Sequence, residues 1–138
     1  MDKEIEKIIQ EIIHNKPDLE RKCPREIKRA LVLIHSNLFE YHLTIDWIKK
    51  EGHIFNKCFS TLFKRYVGSY PKEYIIANRI SAAKELMIKT DHAISVIAIH
   101  VGFRSTSAFC NTFKNKEKFK PSEWRKINKY IFKYKIKE

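Results

Sequence analysis

Glycine, proline and cysteine are scarce in this sequence. Three Gly and four Pro occur among 138 residues, while 43% of the residues are hydrophobic, which is typical of a globular helical protein. The three cysteines, Cys23, Cys58 and Cys110, are odd in number and far apart, and no Cys-x-x-Cys pair or Cys/His ligand spacing occurs. We therefore expect free thiols in a reducing cytoplasm, and neither a metal site nor another cofactor.

Long apolar runs are also missing. No stretch approaches the length of a membrane-spanning helix, and the first residues, MDKEIEK, are too charged for a secretory signal peptide. Six histidines are scattered along the chain without the spacing of a nucleophile–base pair or of metal ligands. The sequence therefore predicts neither a membrane protein nor an enzyme, and it nominates no catalytic residue.

Basic charge, by contrast, is abundant and uneven. The net charge is +12. Residues 1–26 carry six basic and seven acidic side chains, whereas residues 27–138 carry 22 basic and nine acidic ones. A basic body favours a polyanionic partner such as nucleic acid. A solvated, Lys-rich surface would have the same composition, so charge alone leaves both interpretations open.

The most informative stretch is ISVIAIHVGFRSTSAFCNTFK, residues 94–114. Apolar residues recur at helical spacing in its first part, at Ile94, Ile97, Ala98 and Val101. Gly102 follows where the chain must reverse, because glycine tolerates the left-handed conformation that ends a helix. Ser105 is a natural N-cap for a second helix that begins at Thr106. The stretch therefore predicts two short helices around a tight turn.

The second of these helices has two unlike faces. The residues predicted to face inward are Ala108, Phe109, Thr112 and Phe113. The residues of the outer face are small or polar, namely Thr106, Ser107, Asn111 and Lys114. A helix–turn–helix needs one packed face and one polar face that can enter a major groove. An ordinary helical hairpin is the alternative on periodicity alone.

A similar unit lies upstream. Thr44 is predicted to cap a helix over residues 45–51, followed by a turn at Gly52-His53 and a helix over residues 56–66. Phe59 matches Phe109 at an offset of 50 residues, while the offset before the turn is 49. The predicted outer face of the upstream helix consists of Lys57, Ser60, Thr61, Lys64 and Arg65. Duplication of the unit favours a double helix–turn–helix over a chance hairpin.

Four further helices are predicted, over residues 3–14, 27–38 and 71–89 and from Pro121 onward. The first carries an isoleucine stripe that either packs on this domain or binds a partner, and residues 15–24 are interpreted as a linker. Residues 114–138 contain 10 Lys or Arg in 25 positions with aromatic residues between them. Either these aromatics cover the core of a solvated tail, or the tail contacts the DNA backbone.

The segment over residues 94–126 closely resembles the signature of the AraC/XylS family of bacterial transcription regulators. The matching residues are Ile94, Ile97, Ala98, Gly102, Phe103, Phe109, Phe113, Lys114, Pro121, Ser122, Glu123, Trp124 and Arg125. Upstream, LTIDWIKK, FSTLFKRYVG and the pattern Arg79-Ile80-x-x-Ala83 also fit. The resemblance covers residues 27–126.

The resemblance implies an all-α fold of two helix–turn–helix lobes, homeodomain-like repeats joined by a long linker helix. Lobe one would span residues 27–70, the linker helix 71–89 and lobe two 90–126. They would be flanked by an N-terminal helix and linker (1–26) and a basic tail (127–138). The implied function is a sequence-specific DNA-binding regulator whose two recognition helices read adjacent major-groove segments. The alternative is a protein-interaction module on the same fold that has lost base readout.

Carried over by position, the family's base-reading residues fall on Lys57, Ser60, Thr61, Thr106, Ser107 and Asn111. Candidate phosphate-facing residues are Lys64, Arg65, Arg104 and Lys114. The family often places long Arg or Gln side chains at the base-reading positions of lobe two, so indirect or water-mediated readout is expected to matter more here. Lys118 stands where the family usually has Gly.

The implied partners are double-stranded DNA and RNA polymerase. Residues 1–26 are too short for the effector-binding or dimerisation domain that family members usually carry, so no small-molecule effector is expected within this chain. We expect either a compact family member or the C-terminal piece of a larger regulator.

The two predicted lobes differ at the turn. Lobe one has Lys49 in place of Ala98, His53 in place of Gly102 and Phe55 in place of Ser105. Asn56 could cap the following helix one residue late, which would shorten or rotate its start. We therefore expect lobe two to set most of the sequence preference and lobe one to contribute mainly affinity. In the alternative, His53 and Phe55 repack and the lobes are equal.

Overall fold

The computed structural model describes residues 3–14 and 22–137, with side chains to residue 135. These residues form eight α-helices and no strand. The helices are α1 (Lys3–His14), α2 (Arg25–Ser36), α3 (Ile45–Glu51), α4 (Phe59–Val67), α5 (Pro71–Lys89), α6 (Ile94–His100), α7 (Thr106–Glu117) and α8 (Pro121–Lys137). Most of the predicted linker, residues 15–21, lies outside the described residues.

Two hydrophobic cores lie along the chain. The first is built by α2, α3, α4 and the start of α5, and its buried side chains include Ile34, Ile48 and Phe63. The second is built by α1, the rest of α5, α6 and α7, and it contains Ile97 and Phe113. We refer to the helix–turn–helix unit of the first core, α2 to α4, as lobe one, and to that of the second core, α6 and α7 with the start of α8, as lobe two. The fold is therefore all-α, with two helix–turn–helix lobes joined by a linker helix, as predicted.

Helix α5 belongs to both cores. It begins with Pro71 in its first turn, where a missing N–H costs nothing, and it runs for 19 residues. Ile75 packs in the first core, whereas Ile80 and Met87 pack in the second. At 1.5 Å per residue the helix is about 28 Å long. It ends at Lys89, and the next residue, Thr90, has a buried hydroxyl that donates to the Leu86 carbonyl at 2.7 Å.

Helix α1 packs on this domain. Ile5 and Ile8 are buried in the second core, and α1 lies against α5. A helix with a strong apolar stripe is stabilised mainly by burying that stripe against a neighbour. The packing alternative for the isoleucine stripe is therefore confirmed.

The aromatic packing of the two lobes is duplicated. The Phe63 and Tyr74 rings lie edge to face, with centroids 5.6 Å apart at an interplanar angle of 70°. The Phe113 and Trp124 rings repeat this arrangement at 5.7 Å and 77°. Both pairs join the second helix of a helix–turn–helix to the helix that follows it. The repeat predicted from Phe59 and Phe109 therefore extends into α5 and α8.

Two predicted helix boundaries were wrong. Helix α2 runs over Arg25–Ser36 instead of residues 27–38, although Leu38 is buried as expected. Helix α4 begins at Phe59, three residues after Asn56. The Asn56 Oδ1 atom accepts a hydrogen bond from the Cys58 backbone N–H at 2.8 Å. This side-chain bond closes a turn over residues 56–58, and α4 begins only after it.

One prediction about side-chain burial was also wrong, and one of the two interpretations left open for the tail is not supported. Ala108 is exposed on α7 instead of facing inward, while Phe109 and Phe113 are fully buried. Helix α8 continues through the predicted tail, and its aromatic residues do not cover the core. Tyr130 and Tyr134 are 63% and 58% exposed. The tail aromatics therefore lie on the surface of a helix that carries many lysines.

Candidate nucleic-acid interface

The turn of lobe two has the predicted geometry. Gly102 has a φ of +96°, a conformation that residues with a Cβ rarely adopt. The Phe103 N–H donates to the Ala98 carbonyl at 3.1 Å, which closes the end of α6. The Ser105 hydroxyl accepts from the Ala108 N–H at 3.1 Å, so that α7 begins at the next residue. The turn glycine and the N-cap serine are both confirmed.

This cap determines which face of α7 is presented to solvent. Because Phe109 and Phe113 are fully buried, the opposite side of the helix points away from the core. Ser107, Asn111 and Lys114 are exposed there, and Thr106 is half-buried. Arg104 is exposed just before the cap. These residues form one polar surface, which we call the lobe-two surface: Arg104, Thr106, Ser107, Asn111 and Lys114.

Lobe one makes the same turn with different residues. The Ile54 N–H donates to the Lys49 carbonyl at 2.8 Å, 49 positions before the Phe103–Ala98 bond. His53 adopts a φ of +50° at the position of Gly102. A non-glycine residue enters this region at a cost in free energy. The backbone therefore reverses in the same way in both lobes, with more strain in lobe one.

The outer face of lobe one is less regular than that of lobe two. Helix α4 has nine residues and α7 has twelve. Lys57 is exposed in the turn before α4, and Phe55, in the position of Ser105, is 84% exposed. Phe55 therefore does not pack against its own lobe. The lobe-one surface comprises Lys57, Ser60, Thr61, Lys64 and Arg65, of which Ser60 is half-buried and the others are exposed.

The candidate phosphate-facing cations remain available for a ligand. Among the described residues, the carboxylates that form ion pairs do so with other partners, such as Glu117 with Lys84 at 2.5 Å. The Lys64 Nζ atom lies 4.4 Å from the centroid of the Tyr70 ring, which steadies the side chain without neutralising its charge. Positive charge therefore persists on both surfaces.

A groove of about 370 Å³ runs beside α7. Thr106, Asn111 and Lys114 line one side, and Lys120 and Ser122 line the other. The start of α8 therefore lies next to the lobe-two surface. Lys120 was not predicted as a site residue, although its place within the family signature, just before Pro121, could have indicated it.

The family model described as a helix-turn-helix domain matches residues 54–127. The chain belongs to the AraC/XylS family of transcription regulators. The lactose operon transcription activator of Staphylococcus xylosus is 31% identical over 100 residues, which cover 72% of this chain and 36% of that protein. The chain thus spans little more than a third of the length of that curated relative.

Solved structures of AraC-type domains have the same fold. A transcriptional regulator with an AraC-type DNA-binding domain from Chromobacterium violaceum is 29% identical, with a TM-score of 0.61 over 72% of this chain and 88% of that chain. The DNA-binding domain of the global transcriptional factor AdpA, solved in complex with a target DNA, is 20% identical. Its TM-score is 0.68 over 75% of this chain and 93% of that chain.

Two arginines of the AraC/XylS signature join distant segments of the chain by donating hydrogen bonds to backbone carbonyls. Arg125 donates from Nε to the Met87 carbonyl at 2.9 Å, and from its two Nη atoms to the Thr90 and His92 carbonyls at 2.5 Å each. It thereby ties α8 to the segment before α6. Arg79 makes a similar set of bonds from the middle of α5. Burial lowers the pKa of both guanidinium groups from their usual value.

The described part of this AraC/XylS protein offers no cluster of three or more His, Cys, Asp or Glu side chains that could hold a metal ion. Cys23, Cys58 and Cys110 are free thiols. None of the described helices is long and apolar enough to cross a membrane.

Proposed function

We propose that α4 and α7 are recognition helices that enter two successive major-groove segments on one face of double-stranded DNA. The equivalent turns in the two lobes support this proposal, because each presents the outer face of its second helix to solvent. The length of α5, about 28 Å, is comparable to one turn of B-DNA at about 34 Å. Two lobes joined in this way could read sites one helical turn apart.

The observation that carries the proposal is the lobe-two surface. Ser105 caps α7, and the buried phenylalanines behind it leave small polar groups and Lys114 facing outward. Small polar side chains allow a helix to approach base edges closely, and an Asn amide can donate to and accept from adenine. A helix with this surface can therefore enter a groove without placing apolar side chains against polar base edges and phosphates.

The proposed roles divide by side-chain type. The base-contacting group comprises Lys57, Ser60, Thr61, Thr106, Ser107 and Asn111. The phosphate-contacting group comprises the longer cations Lys64, Arg65, Arg104 and Lys114. Phosphate contacts position a protein on the duplex, whereas base contacts carry the sequence information. The DNA-binding domain of AdpA, which shares this fold, was solved in complex with a target DNA, and this supports DNA as the partner.

We divide the DNA-binding unit into lobe one (residues 27–70), the linker helix (71–89) and lobe two (90–126), with the bounds expected from the sequence. In this proposal the protein acts by binding, without catalysis, in the bacterial cytoplasm where the DNA lies. RNA polymerase is a second proposed partner, which family membership alone suggests.

Selection of bound duplexes from a random DNA pool tests the proposal. We expect enrichment of a site with two half-sites about one helical turn apart. In gel-shift competition, random DNA should displace the selected duplex poorly. Asn111→Ala should weaken binding to the selected site, while Lys7→Ala, which removes an exposed cation on α1, should not. Equal binding of selected and random DNA would favour the protein-interaction module instead.

A further inference from the structure

Arg79 is a buried charge at the centre of the molecule. It lies midway along α5 and its side chain is only 8% exposed. A buried guanidinium is costly unless its N–H groups find acceptors. Arg79 Nε donates to the Leu38 carbonyl at 2.8 Å, Nη2 donates to the Glu40 carbonyl at 2.8 Å, and Nη1 donates to the Gly102 carbonyl at 3.2 Å.

These three acceptors belong to different lobes. Leu38 and Glu40 lie in the loop between α2 and α3 of lobe one, whereas Gly102 lies in the turn of lobe two. One planar group on the linker helix is therefore bonded to the backbone of both lobes. Because its donors have a fixed fork geometry, the carbonyls must keep their relative positions for all three bonds to form.

The contact with lobe two is also close in van der Waals terms. A Cβ atom placed on Gly102 would lie 2.9 Å from both Cζ and Nε of Arg79. The guanidinium therefore rests directly against the turn. Ser105, which caps α7, follows only three residues later, so the position of the turn determines where the recognition helix starts.

The two lobes face each other across an open cleft of about 500 Å³, whose lining includes Glu40, one of the residues bonded to Arg79. The cleft is lined by Phe39, Glu40 and Tyr41 from lobe one and by Ile99, Phe103 and Arg104 from lobe two. Tyr41 and Ile99 are 65% and 54% exposed. Phe39 packs against both cores. On this side the lobes are joined by the Arg79 bonds and by Phe39, in addition to the shared helix α5.

Arg29 provides an internal comparison. Its Nε donates to the Gly52 carbonyl at 2.9 Å, over the same 23-residue separation as the Arg79–Gly102 bond. Arg29 is exposed, however, and both of these residues belong to lobe one. A helix-to-turn brace therefore exists in each lobe, and the one in lobe two also reaches across to lobe one.

We propose that Arg79 sets the relative orientation of the two lobes, and thereby the half-site spacing that the protein accepts on DNA. The inference rests on the proposed function, in which both recognition helices enter the same duplex. Two linked binding units gain affinity only when their geometry allows both to engage at once. A fixed orientation therefore favours one spacing, and a looser one tolerates several at lower affinity.

The first test measures the orientation without DNA. Spin labels are attached to Cys58 and to a cysteine introduced by Ser107→Cys, in a Cys23→Ser, Cys110→Ser background. Both sites are exposed at the start of a recognition helix. We expect a narrow distance distribution for the parent, a broad one for Arg79→Met and a narrow one for Arg29→Met. Equal widths for the parent and Arg79→Met would overturn the inference, whatever the DNA experiments show.

The second test measures spacing. Duplexes carrying the selected half-sites are lengthened or shortened by one base pair between them. The parent and Arg29→Met should lose affinity by on the order of tenfold or more, whereas Arg79→Met should bind all spacings within about threefold. Retention of the parental preference by Arg79→Met would overturn the inference. Failure of the parent to prefer any sequence would instead count against the proposed function.

Arg79→Lys is a second variant that keeps both tests decisive if Arg79→Met fails to fold. Lysine keeps the charge but cannot form the three-way fork, so this variant should lie between the parent and Arg79→Met. If Arg79→Met does not unfold cooperatively, Arg79→Lys is measured in the same two assays. A parental distance distribution and spacing preference in Arg79→Lys would then overturn the inference.

Discussion

The Arg79 guanidinium lies so close to Gly102 that a Cβ atom on residue 102 would approach its Cζ atom to 2.9 Å. Gly102 also has a φ of +96°, so two separate constraints require glycine there. At Gly68 only the backbone constraint applies. Its φ is +107°, but a Cβ atom on residue 68 would have no neighbouring atom within 4 Å. Comparing the two glycines therefore separates the cost of the left-handed backbone from the cost of the contact with Arg79.

Gly68→Ala should destabilise the protein by about 1–2 kcal/mol, because alanine must adopt a left-handed conformation. Gly102→Ala should cost more, since it also displaces the buried Arg79 side chain. Urea denaturation of both variants gives the comparison. Equal losses would mean that the guanidinium moves aside without cost.

Lys118 ends α7 with a φ of +67°, at the position equivalent to Gly68. Lys118→Gly should relieve this strain and stabilise the protein by up to about 1 kcal/mol, reduced by the greater backbone entropy of glycine. Lys116→Gly, inside the same helix, is the control and should destabilise by about 1 kcal/mol. If both variants lose stability, Lys118 is not strained.

Phe63 and Phe113 occupy equivalent, fully buried positions in the two cores. Replacing either with Ala should lower the free energy of unfolding by roughly 3–5 kcal/mol. Phe55→Ala serves as the control, because Phe55 is 84% exposed and its loss should change stability by less than about 0.5 kcal/mol. Thermal melting of Phe113→Ala at the parental temperature would show that the inward face of α7 is misassigned.

DNA affinity should fall steeply between about 50 and 200 mM salt, because Lys and Arg contacts release condensed counterions from the phosphates. Lys114→Ala should weaken binding to all sequences by a similar factor and reduce the slope of log affinity against log salt by about one. Lys7→Ala should leave the slope unchanged. A salt-independent complex would rule out the phosphate role proposed for these cations.

The lobes should contribute unequally to sequence preference. Lobe two has a capped α7 of twelve residues, whereas α4 has nine residues and no side-chain cap. Asn111→Ala should therefore change the selected DNA motif, while Thr61→Ala should mainly lower affinity. Selection from a random pool with each variant compares them directly. A larger change of motif with Thr61→Ala would mean that the roles of the lobes are reversed.

Several elements were predictable because their causes are local. Thr44 accepts from the Trp47 N–H at 3.1 Å and starts α3 at Ile45, as its position before an apolar run indicated. Helix α5 runs over Pro71–Lys89, the predicted range. The start of α4 was predicted wrongly, because the Asn56 side chain closes a turn over residues 56–58 and the helix begins only after it. Whether such a turn or a further turn of helix forms depends on small energy differences that a sequence pattern does not reveal.

Part of the candidate site was also predictable from the sequence. Exposure of Ser107, Asn111 and Lys114 follows from helical periodicity once Phe109 and Phe113 are taken as core residues. Lys120 was missed because it follows α7 in sequence and reaches the groove only when α8 packs beside it. The roles proposed for these residues on DNA stay predictions.

The sequence by itself determined the helices, the duplicated turn and the family, since these depend on residues within a few positions of one another. The tertiary structure decided how the units are joined. Arg79 donates hydrogen bonds to Leu38, 41 residues away in sequence, and to Gly102, 23 residues away. No local sequence pattern predicts such bonds. The packing of α1 in the second core and the exposure of the α8 aromatics were decided in the same way. Each depends on which surfaces meet when distant segments fold together, because burial is a property of the whole packed chain.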